Sequence, residues 1–320
     1  MTGDDHGNGG TAGRFDIYKT DSPAGCSLSN WECARATSYI YTNTPLTAAQ
    51  AAAYEADGFE VALHVNTDCG NWTPLTLESF FANQLSSWSS KYSGLQVPAT
   101  NRTHCIAWSD WASQAKVELD HGIRLDTNYY YWPAGWVNDR PGFFTGSGMP
   151  MRFADTDGRL INVYQAVTQM TDESGQTFPF TINALLDRAL GPEGYYGVFT
   201  ANMHTDTASS SGSAAIVAST LARGVPVVSA RQMLTWLDGR NNSSFGAVAW
   251  SGSTLSFTIT VGAGGNGLVA MLPANSAIGP LTGISQNGNP VAFSTGVIKG
   301  IQYAIFPATA GGYQAIYTAP

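Results

Sequence analysis

Charge is scarce in this chain of 320 residues: 12% are Asp, Glu, Lys or Arg, and only four are Lys. With a formal net charge of −8, it lacks the basic surface that displaces counterions from nucleic acid. No nucleic-acid partner is expected. No apolar run reaches the roughly 18 residues of a membrane-spanning helix. A Gly-x-Ser-x-Gly elbow is absent, which argues against serine-hydrolase chemistry. No Gly-rich turn between strand and helix fits a phosphate cradle or dinucleotide site. The four cysteines contain no Cys-x-x-Cys zinc signature. Residues 241–320 go further, with no Asp, Glu, His or Cys and Lys299 as the one charge. Apolar residues, by contrast, make up 43% of the chain, enough for one large core and a smaller companion rather than disorder.

The polar residues that remain fall where they can act. The chain opens Met1-Thr2-Gly3-Asp4-Asp5-His6-Gly7. Neighbours on an extended segment point to opposite sides, so Asp4 and Asp5 can take different tasks, one handling a proton and the other a metal. Alone, the pair reads better as an acidic, frayed terminus. Further on, Gly58-Phe59-Glu60-Val61-Ala62-Leu63-His64 reads as a strand ending in His, with Asp68 four residues later. Two more strand-like segments end in chemistry, Ile123-Arg124-Leu125-Asp126 and Asn202-Met203-His204, and Asn101-Arg102-Thr103-His104 leads into another.

In order and spacing these segments resemble the polysaccharide deacetylase superfamily over about three quarters of the chain, to about residue 240. That family opens on Thr-Phe-Asp-Asp-Gly, where the first Asp is the base and the second binds metal; Thr2-Gly3-Asp4-Asp5-His6 stands in its place. The resemblance implies Asp4 as the catalytic base and Asp5 and His64 as metal ligands. The family's third ligand is a second His, where this chain has Asp68; His104, on the next strand, is the rival. His6 occupies a family Gly and is a further candidate to approach the metal. Arg102 matches an arginine that orients the base. Asp126 matches an acid that orients the catalytic His, and Trp132, with Tyr130 beside it, an aromatic wall of the acetyl pocket. His204 is then the general acid. The implied cofactor is one divalent ion, Zn²⁺ first among the candidates.

Strands and helices alternate up to Asp238, which argues a parallel sheet with helical crossovers. His64, Asp126, Asp155 and His204 all end predicted strands, the face that carries chemistry in (β/α) barrels. The resemblance implies a distorted seven- or eight-stranded barrel over residues 1–240. Residues 7–45 read as a long loop. Helices are predicted from the capping box at Thr47, from Thr73-Pro74 and from Ser109, and again over 181–190, 213–223 and 230–237. Strands are predicted over 104–108, 149–154, 160–166, 195–203 and 226–229. His121 is read as a helix C-cap. Residues 241–320, alternating and turn-rich, are expected to form a small antiparallel β-sandwich. Trp108, Trp72, Trp111, Trp136, Phe143 and Phe144 fall in loops suited to stacking on sugar rings, and Asp155, Asp172 and Glu173 are expected along the same cleft.

Cys26–Cys33 is expected to close the early loop, and a Cys69–Cys105 bridge would bring Asp68 and His104 to one metal. Such bridges fit an oxidising compartment. Since Met1 lies almost on the candidate site, the sequence is read as a fragment of a secreted protein whose leader and most of whose first strand are missing. The expected function is metal-dependent deacetylation of an acetylated carbohydrate polymer, with no protein partner. The alternatives are a non-catalytic carbohydrate-binding relative and an esterase for other acyl esters. A glycosidase would use paired carboxylates such as Asp126 and Asp155.

Overall fold

The computed structural model describes residues 1–129, 141, 148–194 and 197–318, which divide into two compact units, Met1–Leu234 and Thr235–Pro320. In the first, short strands β1 (Thr2–Asp5), β2 (Thr37–Ile40), β3 (Glu60–Val65), β4 (Thr100–Thr103) and β5 (Leu125–Asp126) are buried at every position. Strands covered on both faces show no alternation. They belong to a nine-stranded sheet ordered β6-β7-β5-β4-β3-β2-β1-β9-β8, where β6 is Met151–Ala154, β7 Leu160–Gln165, β8 Thr168–Thr171 and β9 Thr200–Asn202. All neighbours run parallel except the β6–β7 hairpin. The sheet curls until Thr168 at the head of β8 donates to the Tyr129 carbonyl, beyond β5, at 2.8 Å. It is barrel-like, with β6 and β8 as edges, where a closed ring of seven or eight strands was expected.

Helices α1 (Thr11–Asp21), α2 (Ala48–Ala56), α3 (Pro74–Lys91), α4 (Ser113–Asp120), α5 (Phe180–Leu190), α6 (Ser211–Leu221) and α7 (Ala230–Asn241) follow the strands. Thr47 and Thr73 both form capping boxes, with Gln50 and Thr76. The residues predicted as one long loop hold α1 and β2. The buried set of α1 is Thr11, Arg14, Phe15 and Tyr18, a helical stripe in spacing whose polar half hides the period. Other boundaries move for local reasons. The predicted strand 104–108 is a 3₁₀ turn from His104 to Ile106, and the strand ends before it, at Thr103. The helix expected after Ser109 begins at Ser113, because Asp110 accepts the Ser113 N–H at 2.8 Å. No strand forms over 226–229, where the Val227 carbonyl accepts from Arg35. The first strand, expected to be mostly missing, pairs with β2 at all four residues.

The strands of the second unit are β10 (Ser244–Ser251), β11 (Thr254–Thr260), β12 (Val269–Pro273), β13 (Leu281–Gln286), β14 (Asn289–Val291), β15 (Ser294–Ile298), β16 (Ile301–Pro307) and β17 (Gly311–Tyr317). They form a five-stranded antiparallel sheet, β10-β11-β17-β13-β14, and a three-stranded one, β12-β16-β15. Phe257 and Ile259 of β11, Leu272 of β12, Phe306 of β16 and Tyr313 of β17 fill one core. Two sheets sharing a core is the arrangement a sandwich requires.

Candidate active site

Strand β1 ends with alternate residues on opposite sides. Asp4 and His6 face a cavity of about 250 Å³ together with His64, Arg102, His104 and His204. Asp5 faces the other way and is fully buried. Its carboxylate accepts the N–H groups of Gly7, Asn8, Gly9 and Thr11 and the Thr11 hydroxyl. Asp5 therefore ties the loop to the start of α1, and the structure does not bring it to the histidines.

Asp4 Oδ2 accepts from Arg102 Nε at 2.9 Å and from Asn202 Nδ2 at 2.8 Å. Oδ1 is buried and has no hydrogen-bond partner, on a residue that lines the cavity. Burial alone would raise the Asp4 carboxyl. Arg102, His64, His204 and the Asn202 amide outweigh it and hold the group down at about 2. Arg102, itself buried, is fixed by the Thr127 carbonyl at 2.7 Å. Asn202 is a site residue that motif reading passed over. Its position two residues before His204, at the end of β9 (Thr200–Asn202), is the signal that points to it.

Three imidazoles converge beside Asp4. His64 Nδ1 lies 2.7 Å from the Arg102 carbonyl, which can only accept, so the ring carries its proton there and keeps an Nε2 lone pair. His6 Nδ1 likewise donates to Asp206 Oδ2 at 2.9 Å. His6 Nε2 is 3.1 Å from His104 Nδ1. Ligand-capable atoms of His6, His64 and His104 all lie within 4.8 Å of one another. Nitrogens around a tetrahedral zinc sit about 3.3 Å apart, so small side-chain shifts suffice to fit a divalent ion. Burial, ahead of an opposing Asp4, lowers His64 to about 4. Burial and then His6 lower His104. Both rings are neutral near pH 7, the form that ligates. Tyr41 packs on the cluster, stacked on His64 at 5.5 Å.

His204 lines the same cavity, its ring stacked on His6 with centroids 5.3 Å apart. Its Nδ1 donates to Asp172 Oδ1 at 2.8 Å, and its backbone N–H to Asp172 Oδ2 at 2.9 Å. Asp172 raises the ring to about 9 against the lowering effect of burial, with help from Asp4 and Glu173. Asp172, just past β8, thus holds the place expected of Asp126. Asp126 is buried elsewhere, accepting from the Asn128 N–H and side-chain amide, beside Glu118, whose carboxyl burial and then the Asp126 charge push up.

The remaining expected residues fall outside the cavity. Asp68 is exposed in a left-handed turn at φ 56°, because β3 stops at Val65 and the chain turns away. Asp155 sits in the β6–β7 hairpin turn and pairs with Lys116 at 2.7 Å; its strand is antiparallel, so its end does not reach the mouth. Trp108 packs between Tyr129 and Phe153. Trp72 is buried, while Trp111 is 67% exposed. Arg124 binds the Asn162 carbonyl, and His121 caps α4 and meets Glu78 at 2.9 Å. Tyr130, Trp132, Trp136, Phe143 and Phe144 lie outside the described residues.

Both expected disulfides are present, with Cα separations of 5.2 Å for Cys26–Cys33 and 5.3 Å for Cys69–Cys105. The second joins the loop after β3 to the turn carrying His104. Four residues at its two ends, Asp68, Cys69, Cys105 and Ile106, have φ between 48° and 57°, a left-handed conformation costly without glycine.

No family model and no curated protein sequence matches the chain. Solved structures similar to it include the polysaccharide deacetylase Bc1974 from Bacillus cereus, 12% identical over 71% of this chain and 89% of that one, with TM-score 0.37. Agd3, a carbohydrate deacetylase, is 12% identical over 98% of this chain and 57% of its own, with TM-score 0.41. A bacterial fucosidase is 10% identical over 100% and 94%, with TM-score 0.38. Among the described residues no helix is long and apolar enough to cross a membrane.

Proposed function

We propose that the chain is a secreted, metal-dependent hydrolase that removes acetyl groups from a carbohydrate polymer. The observation that carries this reading is the content of one cavity: Asp4, held low with one oxygen unpaired, and His204, raised by Asp172, share it with the rings of His6, His64 and His104. Two titratable groups driven in opposite directions are the mark of an acid–base pair. His64 and His104 would hold the metal, whose chemistry is to polarise the acetyl carbonyl and lower the pKa of water. That contribution is needed, because a carboxylate held near 2 is too weak a base for ordinary water. Asp4 Oδ1 takes the proton of the attacking water, while Arg102 and Asn202 hold Oδ2. His204, aligned by Asp172, protonates the departing amine or alkoxide as its bond to the acetyl carbon breaks. Two disulfides support an oxidising compartment.

Purified protein, stripped with chelator and reloaded, should release acetate from N- or O-acetylated glycans only when loaded. Glycan binding without acetate release under any divalent ion would overturn the enzyme in favour of a carbohydrate-binding module. Release from simple acyl esters but no glycan would point to the esterase.

A further inference from the structure

We infer that His6 is the third metal ligand, completing an all-nitrogen set with His64 and His104, and that Asp206 is the residue that positions it. The inference rests on the metal dependence proposed above and names what that site is made of. The motifs imply Asp5 and His64 as ligands with Asp68 or His104 in the third place, so the carboxylate candidates are Asp5 and Asp68. Both are otherwise engaged: Asp5 is enclosed by five loop donors on the far side of β1, and Asp68 is exposed in a turn. His6 has what they lack. Its Nε2 faces the cavity within reach of both other rings, with ring centroids 5.3 Å from His64 and 4.8 Å from His104.

Asp206 fixes that orientation at two points. Oδ1 accepts the His6 backbone N–H at 2.7 Å and the Asn8 side-chain amide at 2.8 Å. Oδ2 accepts from the ring Nδ1 at 2.9 Å. A carboxylate on the distal nitrogen sets tautomer and ring angle and raises the ligand's basicity. His64 has the same provision in the Arg102 carbonyl. Three neutral imidazoles add no charge to the ion, unlike a set with a carboxylate, so the donor chemistry favours Zn²⁺ or Co²⁺ over Mg²⁺ or Ca²⁺.

The test is metal affinity of the full chain, read by competition with a chromophoric chelator and by the visible spectrum of the Co²⁺ form. Wild type should bind one equivalent of Zn²⁺ and ignore millimolar Mg²⁺. His6→Ala should weaken Zn²⁺ binding about 100-fold or more, as His64→Ala does. Asp206→Asn should weaken it about 10–100-fold with the thermal unfolding of the metal-free protein unchanged, and Asp206→Glu should restore part of it. Asp68→Ala should leave affinity within twofold. Wild-type affinity in His6→Ala, with loss in Asp5→Asn, would overturn the assignment; near-ultraviolet circular dichroism of both variants separates loss of a ligand from loss of fold. No Zn²⁺ or Co²⁺ uptake by wild type would overturn instead the reading on which it rests.

Discussion

The two units bury different things. In Met1–Leu234 the sheet encloses Asp4, Asp5, Glu60, His64, Arg102 and Asp126, none more than 4% exposed. The core of the second unit is Phe, Ile, Leu, Ala and Tyr. An apolar core is stabilised by area and needs no particular partner for each group. A buried charge costs several kcal/mol unless its partners are in place. The first unit therefore depends on pairing. Glu60 is surrounded by the Thr37 and Thr100 hydroxyls and the Arg231 N–H, and Asp5 by its loop. Packing requires none of this, and among the buried polar atoms left without a hydrogen-bond partner Asp4 Oδ1 belongs to a residue that lines the cavity.

The largest effect should come from Arg102. Arg102→Met leaves Asp4 with Asn202 as its one hydrogen-bond donor in a buried site, and should cost about 3–5 kcal/mol in denaturant unfolding, with activity lost. A cost under about 1 kcal/mol would mean that pairing does not hold this unit. Asp4→Asn keeps the shape and removes the base. Acetate release should fall about 100-fold or more while glycan binding persists; unchanged release would remove Asp4 from the mechanism.

Much of this site could be read in advance. Asp4, His64, Arg102, His104 and His204 each end or follow a strand in the expected order, since residues at strand ends of a parallel sheet share one face. The errors were of side-chain direction. The alternation that separated Asp4 from Asp5 also puts His6 on the side of Asp4, and following the period one residue further identifies the third imidazole. Asp155-Thr156-Asp157-Gly158 carries an Asp-Gly hairpin signal, which marks β6–β7 as antiparallel and removes Asp155 from the mouth. Asp172 is expected along the cleft, but its role as the partner of His204 is harder to see, because β8 (Thr168–Thr171) is four residues long and largely polar. The role of Asp126 depends on Glu118, which is distant in sequence and became a partner only through folding.

The next effect concerns the Cys69–Cys105 bridge. Closing its 36-residue separation should stabilise by about 3–4 kcal/mol through the unfolded state. Against that, four left-handed residues cost about 1 kcal/mol or more each. The terms nearly cancel, so the bridge places His104 without adding net stability. Cys69→Ala/Cys105→Ala should change unfolding free energy by less than about 2 kcal/mol, yet lower acetate release about tenfold. Loss of stability with full activity would reverse that assignment.

A smaller effect separates the units by pH. Glu118 and Asp126 are both raised, first by burial and, for Glu118, next by its partner's charge. A carboxyl raised in the folded state contributes stability that is complete below its unfolded value, about 4, and is lost as pH rises through the folded value. Glu118→Gln keeps the Asn101 and Gln114 hydrogen bonds and removes the charge beside Asp126. The variant should match wild type near pH 4 and become the more stable of the two as pH rises. Parallel stability curves from pH 4 to 9 would show that folding does not raise this pair.

The smallest effect is expected where the second unit carries its only charge beyond residue 240. Lys299 is exposed, and residues 241–320 contain no acid to meet it. It fills the two-residue loop between Ile298 and Ile301, with φ 50° at Lys299 and 81° at Gly300. Positive φ at both positions is the type I′ turn, for which Asn-Gly is the preferred pair. Lys299→Asn therefore removes the charge and relieves the backbone together. It should leave stability within about 0.5 kcal/mol, on the stabilising side, with the same difference at low and high salt. Hydrogen exchange of the full chain, corrected for intrinsic rate, would locate the change in β15 (Ser294–Ile298) and β16. A loss above about 1 kcal/mol, or a salt-dependent one, would show that this unit also uses charge, and the contrast with the first unit would fail.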